Sequence, residues 1–153
     1  MMFRKEYGKA NVTTITERKT RYTMLVKNNS RHSDCVMGDI KNKLLLFPKE
    51  TRKSVTFDRG TEFSNYPILT KYNNISCYYC DPRAPWQKGT VENTNARLRK
   101  YLPRELNIEG FKQERLDKIA AALNNTPRKC LGYYTPNELM GLDEYSQGKK
   151  VYR

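Results

Sequence analysis

The sequence has few of the residues that build histidine-based or metal–sulfur sites, and it has no long apolar run. Only one histidine, His32, and four cysteines occur among its 153 residues. No stretch of eighteen apolar residues is present, which excludes a transmembrane helix. The opening segment MMFRKEYGKANV has no apolar stretch of the kind that a secretory signal needs. These absences predict a cytoplasmic protein with no membrane partner.

The scarce cysteines include one pair at a suggestive spacing. Cys77 and Cys80 form C-x-x-C, which is found in zinc sites and in redox motifs. A zinc site would need two further ligands at matching spacing, and a thioredoxin-like pair should open a helix. The run ISCYYC instead predicts a strand, in which the two side chains point to opposite faces. We therefore interpret them as reduced cysteines used as small apolar residues.

Acidic residues are also scarce relative to basic ones. There are 16 Asp and Glu against 29 Lys and Arg, a formal net charge of +13. An excess of this size in one small domain favours a polyanionic partner, most often nucleic acid. Charge alone does not separate a DNA-binding protein from a ribosomal-type RNA-binding protein or from a solvated basic surface.

Hydrophobic patterning predicts alternating strands and helices. Val12–Thr16 and Arg21–Lys27 are rich in β-branched residues and flank a polar tetrapeptide, which predicts a hairpin. The segment Ser30–Phe47 carries apolar residues at helical spacing and ends before Pro48. The remaining central elements are predicted to be a strand at Ser54–Phe57, a short helix at Ser64–Tyr72, a strand at Ile75–Tyr79 and a helix at Thr90–Tyr101.

Two further helices are predicted near the end of the chain. Leu116, Ile119, Ala120 and Leu123 are spaced as one buried stripe. Thr135–Glu138 has the form of a capping box with proline at the first helical position, so a short helix is expected over Glu138–Leu142. The order of elements predicts an α/β fold with a mixed sheet flanked by helices.

Asp58 and Glu92 are the acidic residues best placed for chemistry. Asp58 directly follows the predicted strand SVTF and precedes Arg59-Gly60, and a carboxylate beyond a strand's carboxyl end is a common site location. Glu92 stands early in the next long helix. Oxygen ligands from two elements suit Mg²⁺ or Mn²⁺, and paired metals can catalyse phosphoryl transfer. On spacing alone, an exposed turn aspartate and a solvated helix glutamate are the simpler interpretation.

Basic and amide side chains surround Glu92 in the sequence. Lys88, Asn95 and Arg99 share its helical face, and Lys100 adds positive charge nearby. Such a face could hold a metal beside a phosphate backbone, although a solvated basic helix would have the same pattern. Trp86 and Gln87 precede this helix, and we expect them to contact DNA, to order the loop, or, for the tryptophan, to pack in the core.

Three longer runs resemble a known family. TFDRGTEF, CDPRAPWQKGTVENTNARLRKYLP and LNNTPRKCLGYYTPNEL occur in this order and strongly resemble the IS30 family of insertion-sequence transposases. These belong to the DDE superfamily, which has an RNase H-like, retroviral-integrase-like fold. The resemblance extends from about Val12 to Leu142, so we interpret residues 1–142 as one catalytic core and residues 143–153 as a basic C-terminal tail.

The resemblance implies residue roles and partners. Asp58 would be the second metal-binding and catalytic carboxylate and Glu92 the third, with Mg²⁺ or Mn²⁺ as cofactor. Arg99 would contact the DNA end, and Lys88, Asn95 and Lys100 are further candidates for DNA contact. Water would attack the phosphodiester at an element end, and the freed 3′-hydroxyl would then attack target DNA. The implied partners are these DNAs and a second copy of the chain or an intact transposase, at the bacterial nucleoid.

The sequence departs from the family pattern near its start. The first carboxylate should stand on a strand before Val12, around Met2 to Arg4, where no acidic residue occurs. Glu6 is the nearest candidate, in the wrong register. We therefore expect a domain shortened at its N-terminus, with the first strand largely missing and any metal weakly bound. The alternative to an inactive enzyme fragment is a non-catalytic DNA-binding remnant that interferes with intact transposase.

Overall fold

The computed structural model describes Phe3 and residues 9–141, without the side chain of Tyr72. Strand β1 spans Asn11–Thr16 and β2 spans Thr23–Asn28. They pair antiparallel with Thr13 opposite Val26, which confirms the predicted hairpin. Strand β2 begins two residues later than expected, because Arg21 has a left-handed backbone (φ 62°) that no strand accommodates.

The connecting segment that follows is helical. Helix α1 spans Ser33–Leu45 and buries Val36, Ile40 and Leu44 as predicted. It ends before Phe47, which nevertheless packs against the same apolar cluster. Pro48 follows directly and cannot continue a helix.

Two short parallel strands carry the next part of the chain. Strand β3 spans Ser54–Phe57 and β4 spans Ser76–Tyr79, with Phe57 opposite Tyr79. Helix α2, Pro67–Asn73, forms the crossover between them and ends at Asn74, whose φ of 53° closes the helix. Both predicted strands are confirmed, and the predicted helix is shorter at its start.

The described strands form two separate pairs, one antiparallel and one parallel. Together they have the mixed pairing that the sequence predicts. The strand expected to precede β1 corresponds to residues 1–8, of which the structure describes only Phe3. Phe3 is 5% exposed and belongs to an apolar core cluster, as expected for its side chain. Glu6 lies outside the described residues, and so do residues 142–153, which include the predicted domain boundary.

Three more helices complete the described chain. A 3₁₀ turn at Pro85–Lys88 leads into α3, Gly89–Leu98, and α4 spans Gln113–Asn124. Helix α5, Pro136–Met140, has the predicted capping box between Thr135 and Glu138. It starts at the proline and stops two residues earlier than expected, because Gly141 turns left-handed (φ 66°). No helix of the described residues is long and apolar enough to cross a membrane.

The hairpin lies between two apolar clusters. Leu25 belongs to the cluster formed with α3 and α4, whereas its neighbour Met24 belongs to the cluster formed with α1, α2, β3 and β4. Successive residues of a strand face opposite sides, so one hairpin contributes to both clusters. This arrangement fixes α3 on one side of β1.

Helix α4 covers the outer edge of β2 with two amide side chains. Asn124 accepts a hydrogen bond from the Thr23 N–H and donates one to the Thr23 carbonyl, both at 2.9 Å. Gln113 accepts from the Lys27 N–H and donates to the Leu25 carbonyl, both at 2.8 Å. The side chains thus occupy the backbone groups that another strand would use.

Candidate metal and DNA site

Asp58 lies immediately beyond the carboxyl end of β3. Its Oδ1 accepts a hydrogen bond from the Gly60 N–H at 3.0 Å, which holds the carboxylate at the start of a turn. Its Oδ2 lies 3.3 Å from the Nζ of Lys88. Both side chains are more than a third exposed, at 36% for Asp58 and 38% for Lys88. The carboxylate is therefore reachable from solvent and already faces a positive charge.

The loop between β4 and α3 begins and ends beside β3. At its start, the Cys80 N–H donates to the Phe57 carbonyl at 2.8 Å and the Cys80 carbonyl accepts from Arg59 Nε at 3.1 Å. At its end, Lys88 contacts Asp58. This loop therefore brackets the candidate carboxylate.

Within the loop, Gln87 binds back to Asp81. Its Oε1 accepts from the Asp81 N–H and its Nε2 donates to Asp81 Oδ2, both at 2.8 Å. The Ala84 N–H also donates to the Asp81 carbonyl at 3.3 Å. These bonds place Asp81 in a turn, and they show that Gln87 orders the loop.

Glu92 is exposed in the first turn of α3. Thr94 and Leu98 of the same helix are buried, so the helix packs through that face and leaves Glu92 in solvent. Because Lys88 is four positions before Glu92 and contacts Asp58, the start of α3 is held near the end of β3.

Arg21 is a contact that sequence reasoning missed. Its Nη1 donates to the Thr90 hydroxyl at 2.6 Å, so the turn of the hairpin is attached to α3 two residues before Glu92. No pattern in the sequence predicts this contact. The left-handed backbone of Arg21, which turns the chain at this point, is visible only in the structure.

The other predicted DNA-contacting residues differ in exposure. Lys100 is exposed, and Asn95 is partly buried. The Oδ1 of Asn95 is shielded from solvent and has no hydrogen-bond partner in the described part of the chain. Arg99 is partly buried, with its guanidinium 5.5 Å from the centre of the Phe3 ring and Nη1 3.4 Å from the Leu102 carbonyl. Burial, with a contribution from Arg104, lowers the pKa of Arg99.

A second feature lies next to Asp58. A surface cavity of about 360 Å³ is lined by Arg59, Gly60, Thr61, Ser64 and Tyr79. Its position after β3 follows from the turn at Gly60. No motif in the sequence indicated it.

The C-x-x-C pair has the character expected of small apolar residues. Cys80 is buried and Cys77 partly buried, both as free thiols, and burial raises the pKa of Cys77. Among the residues that the structure describes, no three His, Cys, Asp or Glu side chains cluster as a metal site would require. Within the same described ranges, no third carboxylate joins Asp58 and Glu92 in such a cluster.

Comparison with known proteins gives relatives and a fold. Transposase InsI of insertion sequence element IS30A from Escherichia coli K12 is 40% identical over 131 residues, covering 86% of this chain and 34% of the relative. The transposase of element IS1086 from Cupriavidus metallidurans is 36% identical over 129 residues, covering 84% and 38%. No protein-family model matches the chain. The chain spans about a third of the length of the two transposases.

A solved structure confirms the architecture. A chain from the cryoEM structure of a simian T-cell lymphotropic virus intasome, in complex with PP2A regulatory subunit B56 gamma, superposes with a TM-score of 0.66. It is 13% identical, and the match covers 94% of this chain and 55% of that chain. This likeness confirms the predicted RNase H-like, integrase-like fold. The sequence identities above confirm the predicted resemblance to the IS30 family of insertion-sequence transposases over the region that the chain spans.

Proposed function

We propose that this chain is the part of a DNA transposase that supplies two carboxylates to a metal-dependent phosphodiester site, together with a basic surface for DNA. The substrates would be insertion-sequence ends and target DNA. Residues 1–142 would form the catalytic core, and residues 143–153 a basic tail. The similarity to IS30 transposases and the net charge of +13 support this assignment.

The contact between Lys88 and Asp58 carries the proposal. It brings the first turn of α3 to the carboxyl end of β3, so that Glu92 stands four residues from a side chain that touches Asp58. A strand end and a helix start are then available to one metal site. The surrounding Lys88, Asn95, Arg99 and Lys100 would position the phosphodiester backbone.

The carboxylates suit a hard divalent cation. Asp58 Oδ2 lies beside the Lys88 ammonium group, which a metal ion bound at this oxygen would displace. Mg²⁺ often binds through one or two carboxylates and completes its shell with water and substrate phosphate. When bound, such an ion would activate the attacking hydroxyl and stabilise the leaving oxygen. The chain's own part is to hold Asp58 by the Gly60 N–H and to neutralise phosphate with Lys88.

A second candidate function follows from the lack of a third ligand in the part of the chain that the structure describes. No cluster of three ligating side chains occurs among the described residues, and the buried Phe3 stands within the window expected for the first carboxylate. We therefore expect this chain by itself to bind DNA without cleaving it. It would then act as a non-catalytic remnant that competes with intact transposase or assembles with it.

Labelled duplex DNA titrated with the chain, followed by fluorescence anisotropy, tests the proposal. The expected dissociation constant is on the order of 10⁻⁴–10⁻⁶ M at physiological salt, weakening steeply as salt rises. Mn²⁺ should tighten binding in the wild type but not in Asp58→Asn or Glu92→Gln. Glu114→Gln, an exposed glutamate change on α4, is the matched control.

Two results would contradict the proposal. One is the absence of DNA binding at low salt. The other is a Mn²⁺ effect that survives in Asp58→Asn and Glu92→Gln.

A further inference from the structure

Trp86 is the only tryptophan of the chain, and it is 75% exposed. Tryptophan is highly buried on average, so a side chain that leaves three quarters of its surface in water is a departure with a cost. The possibility that Trp86 packs in the core is therefore excluded. Tryptophan is enriched among the residues that contribute most of the binding energy at interfaces.

The loop that carries Trp86 is held in one shape. Gln87, its neighbour, makes two hydrogen bonds to Asp81 at 2.8 Å, and the Trp86 carbonyl accepts from the Gly89 N–H. Pro85 opens the 3₁₀ turn and has a fixed φ. The loop backbone is thus held by hydrogen bonds while the indole is exposed to solvent. A partner would therefore bind to a side chain on an ordered backbone.

Trp86 lies two residues before Lys88 in the same turn, and Lys88 contacts Asp58. Trp86 is therefore two positions along the chain from a side chain that contacts the candidate carboxylate. The loop carries the exposed Arg83, and the Nε of Arg59 donates to the Cys80 carbonyl at its start. Its one acidic residue, Asp81, is hydrogen-bonded to Gln87. An aromatic face among positive charges is complementary to a nucleic acid, in which bases alternate with phosphates.

We propose that Trp86 stacks on a base whose face is exposed at a DNA end, next to the phosphodiester held at Asp58. A base inside a duplex is covered on both faces by its neighbours, so an indole reaches a base face only at a terminal or unpaired nucleotide. This proposal rests on the proposed function, since it needs DNA at Asp58. It adds that the preferred substrate has an unpaired end and not a continuous duplex.

The single tryptophan makes the test direct. Intrinsic fluorescence of the wild type is followed while a blunt duplex, or the same duplex with unpaired 3′-terminal nucleotides, is added. Stacking should quench the indole emission with the unpaired end and much less with the blunt duplex. In parallel, anisotropy of labelled oligonucleotides measures affinity for variants that lack the reporter.

Trp86→Ala should lose about 5- to 150-fold in affinity for the unpaired end, the range for one aromatic–base stack. Its affinity for a blunt duplex and its salt slope should be unchanged. Trp86→Phe should retain part of the preference. Tyr134→Ala, at another exposed aromatic (57%) on a different loop, is the control and should behave as wild type.

The alternatives have distinct outcomes. Equal binding of both DNAs by wild type and Trp86→Ala, without quenching, overturns the stacking proposal and leaves the proposed DNA function standing. A spectrum that changes with protein concentration in the absence of DNA, together with sedimentation that Trp86→Ala alters, assigns the indole to a second copy and also overturns it. If neither DNA binds at low salt, the proposed function fails, and this inference fails with it.

Discussion

The Nζ of Lys88 lies 3.3 Å from Oδ2 of Asp58, across 30 positions of sequence. The contact joins the end of β3 to the start of α3. The contact also places the Lys88 ammonium group beside an oxygen that we propose as a metal ligand. In the proposed complex, the position of Lys88 would therefore depend on both the metal ion and the DNA phosphate.

Lys88→Ala should separate the structural role of this lysine from its role toward DNA. Both partners are more than a third exposed, so the ion pair contributes at most about 1 kcal/mol to the free energy of unfolding. If Lys88 moves to a phosphate in the complex, the slope of log affinity against log salt should fall by about one. The measurement is anisotropy over a salt series, with Lys118→Ala on α4 as the control. A slope equal to that of the wild type would exclude a phosphate contact.

The chain by itself should not nick DNA. Two carboxylates provide less charge and a less complete geometry than a three-ligand site, and no third ligand clusters with them among the described residues. The assay is Mg²⁺- or Mn²⁺-dependent cleavage of a labelled element end, compared with Asp58→Asn. Robust cleavage that Asp58→Asn abolishes would show that a third ligand exists.

Asn124→Ala should destabilise the fold. Asn124 is 2% exposed, and its side chain makes two hydrogen bonds to the Thr23 backbone. Its removal leaves a buried N–H and a buried carbonyl unpaired, at a cost of about 1–3 kcal/mol each before relaxation. Urea denaturation measures the change, and Asn42→Ala on the exposed face of α1 is the matched control. If Asn124→Ala lowers the free energy of unfolding no more than Asn42→Ala does, water takes over the hydrogen bonds of the Asn124 amide to the Thr23 backbone.

Glu17 should make stability depend on acid pH. Burial, the largest influence, raises the pKa of Glu17, but hydrogen bonds from the Thr20 and Lys19 N–H groups and the Thr20 hydroxyl outweigh it, and the net pKa is lowered from 4.5. Because the pKa of Glu17 is lower in the folded state than in the unfolded state, the ionised carboxylate stabilises the fold at pH values above the unfolded-state pKa. This contribution is lost as the pH falls through the folded-state pKa.

Glu17→Gln should therefore reduce the fall in the free energy of unfolding below about pH 4.5. Denaturation between neutral and acid pH gives the two curves. Glu114→Gln serves as the control. Parallel curves for wild type and Glu17→Gln would show that the turn bonds do not favour the ionised carboxylate.

Local patterns in the sequence determined most of the elements. The β-branched segments gave the hairpin, the spacing of Val36, Ile40 and Leu44 gave α1, and the capping box gave α5, because each depends on residues a few positions apart. The three family-like runs were sufficient to predict the integrase-like fold and the resemblance to IS30 transposases. The roles of Asp58, Glu92, Lys88, Asn95, Arg99 and Lys100 stay predictions.

Only the tertiary structure decided how these elements meet. Lys88 on Asp58, Arg21 on Thr90 and Asn124 on Thr23 join residues 30, 69 and 101 positions apart, and no local periodicity encodes such pairs. Exposure is likewise a global property. The sequence left Trp86 between core and surface, and in the folded loop, where Gln87 binds Asp81, the Trp86 side chain is in solvent. A side chain's partners depend on which surfaces are brought together, and that is settled when the whole chain packs.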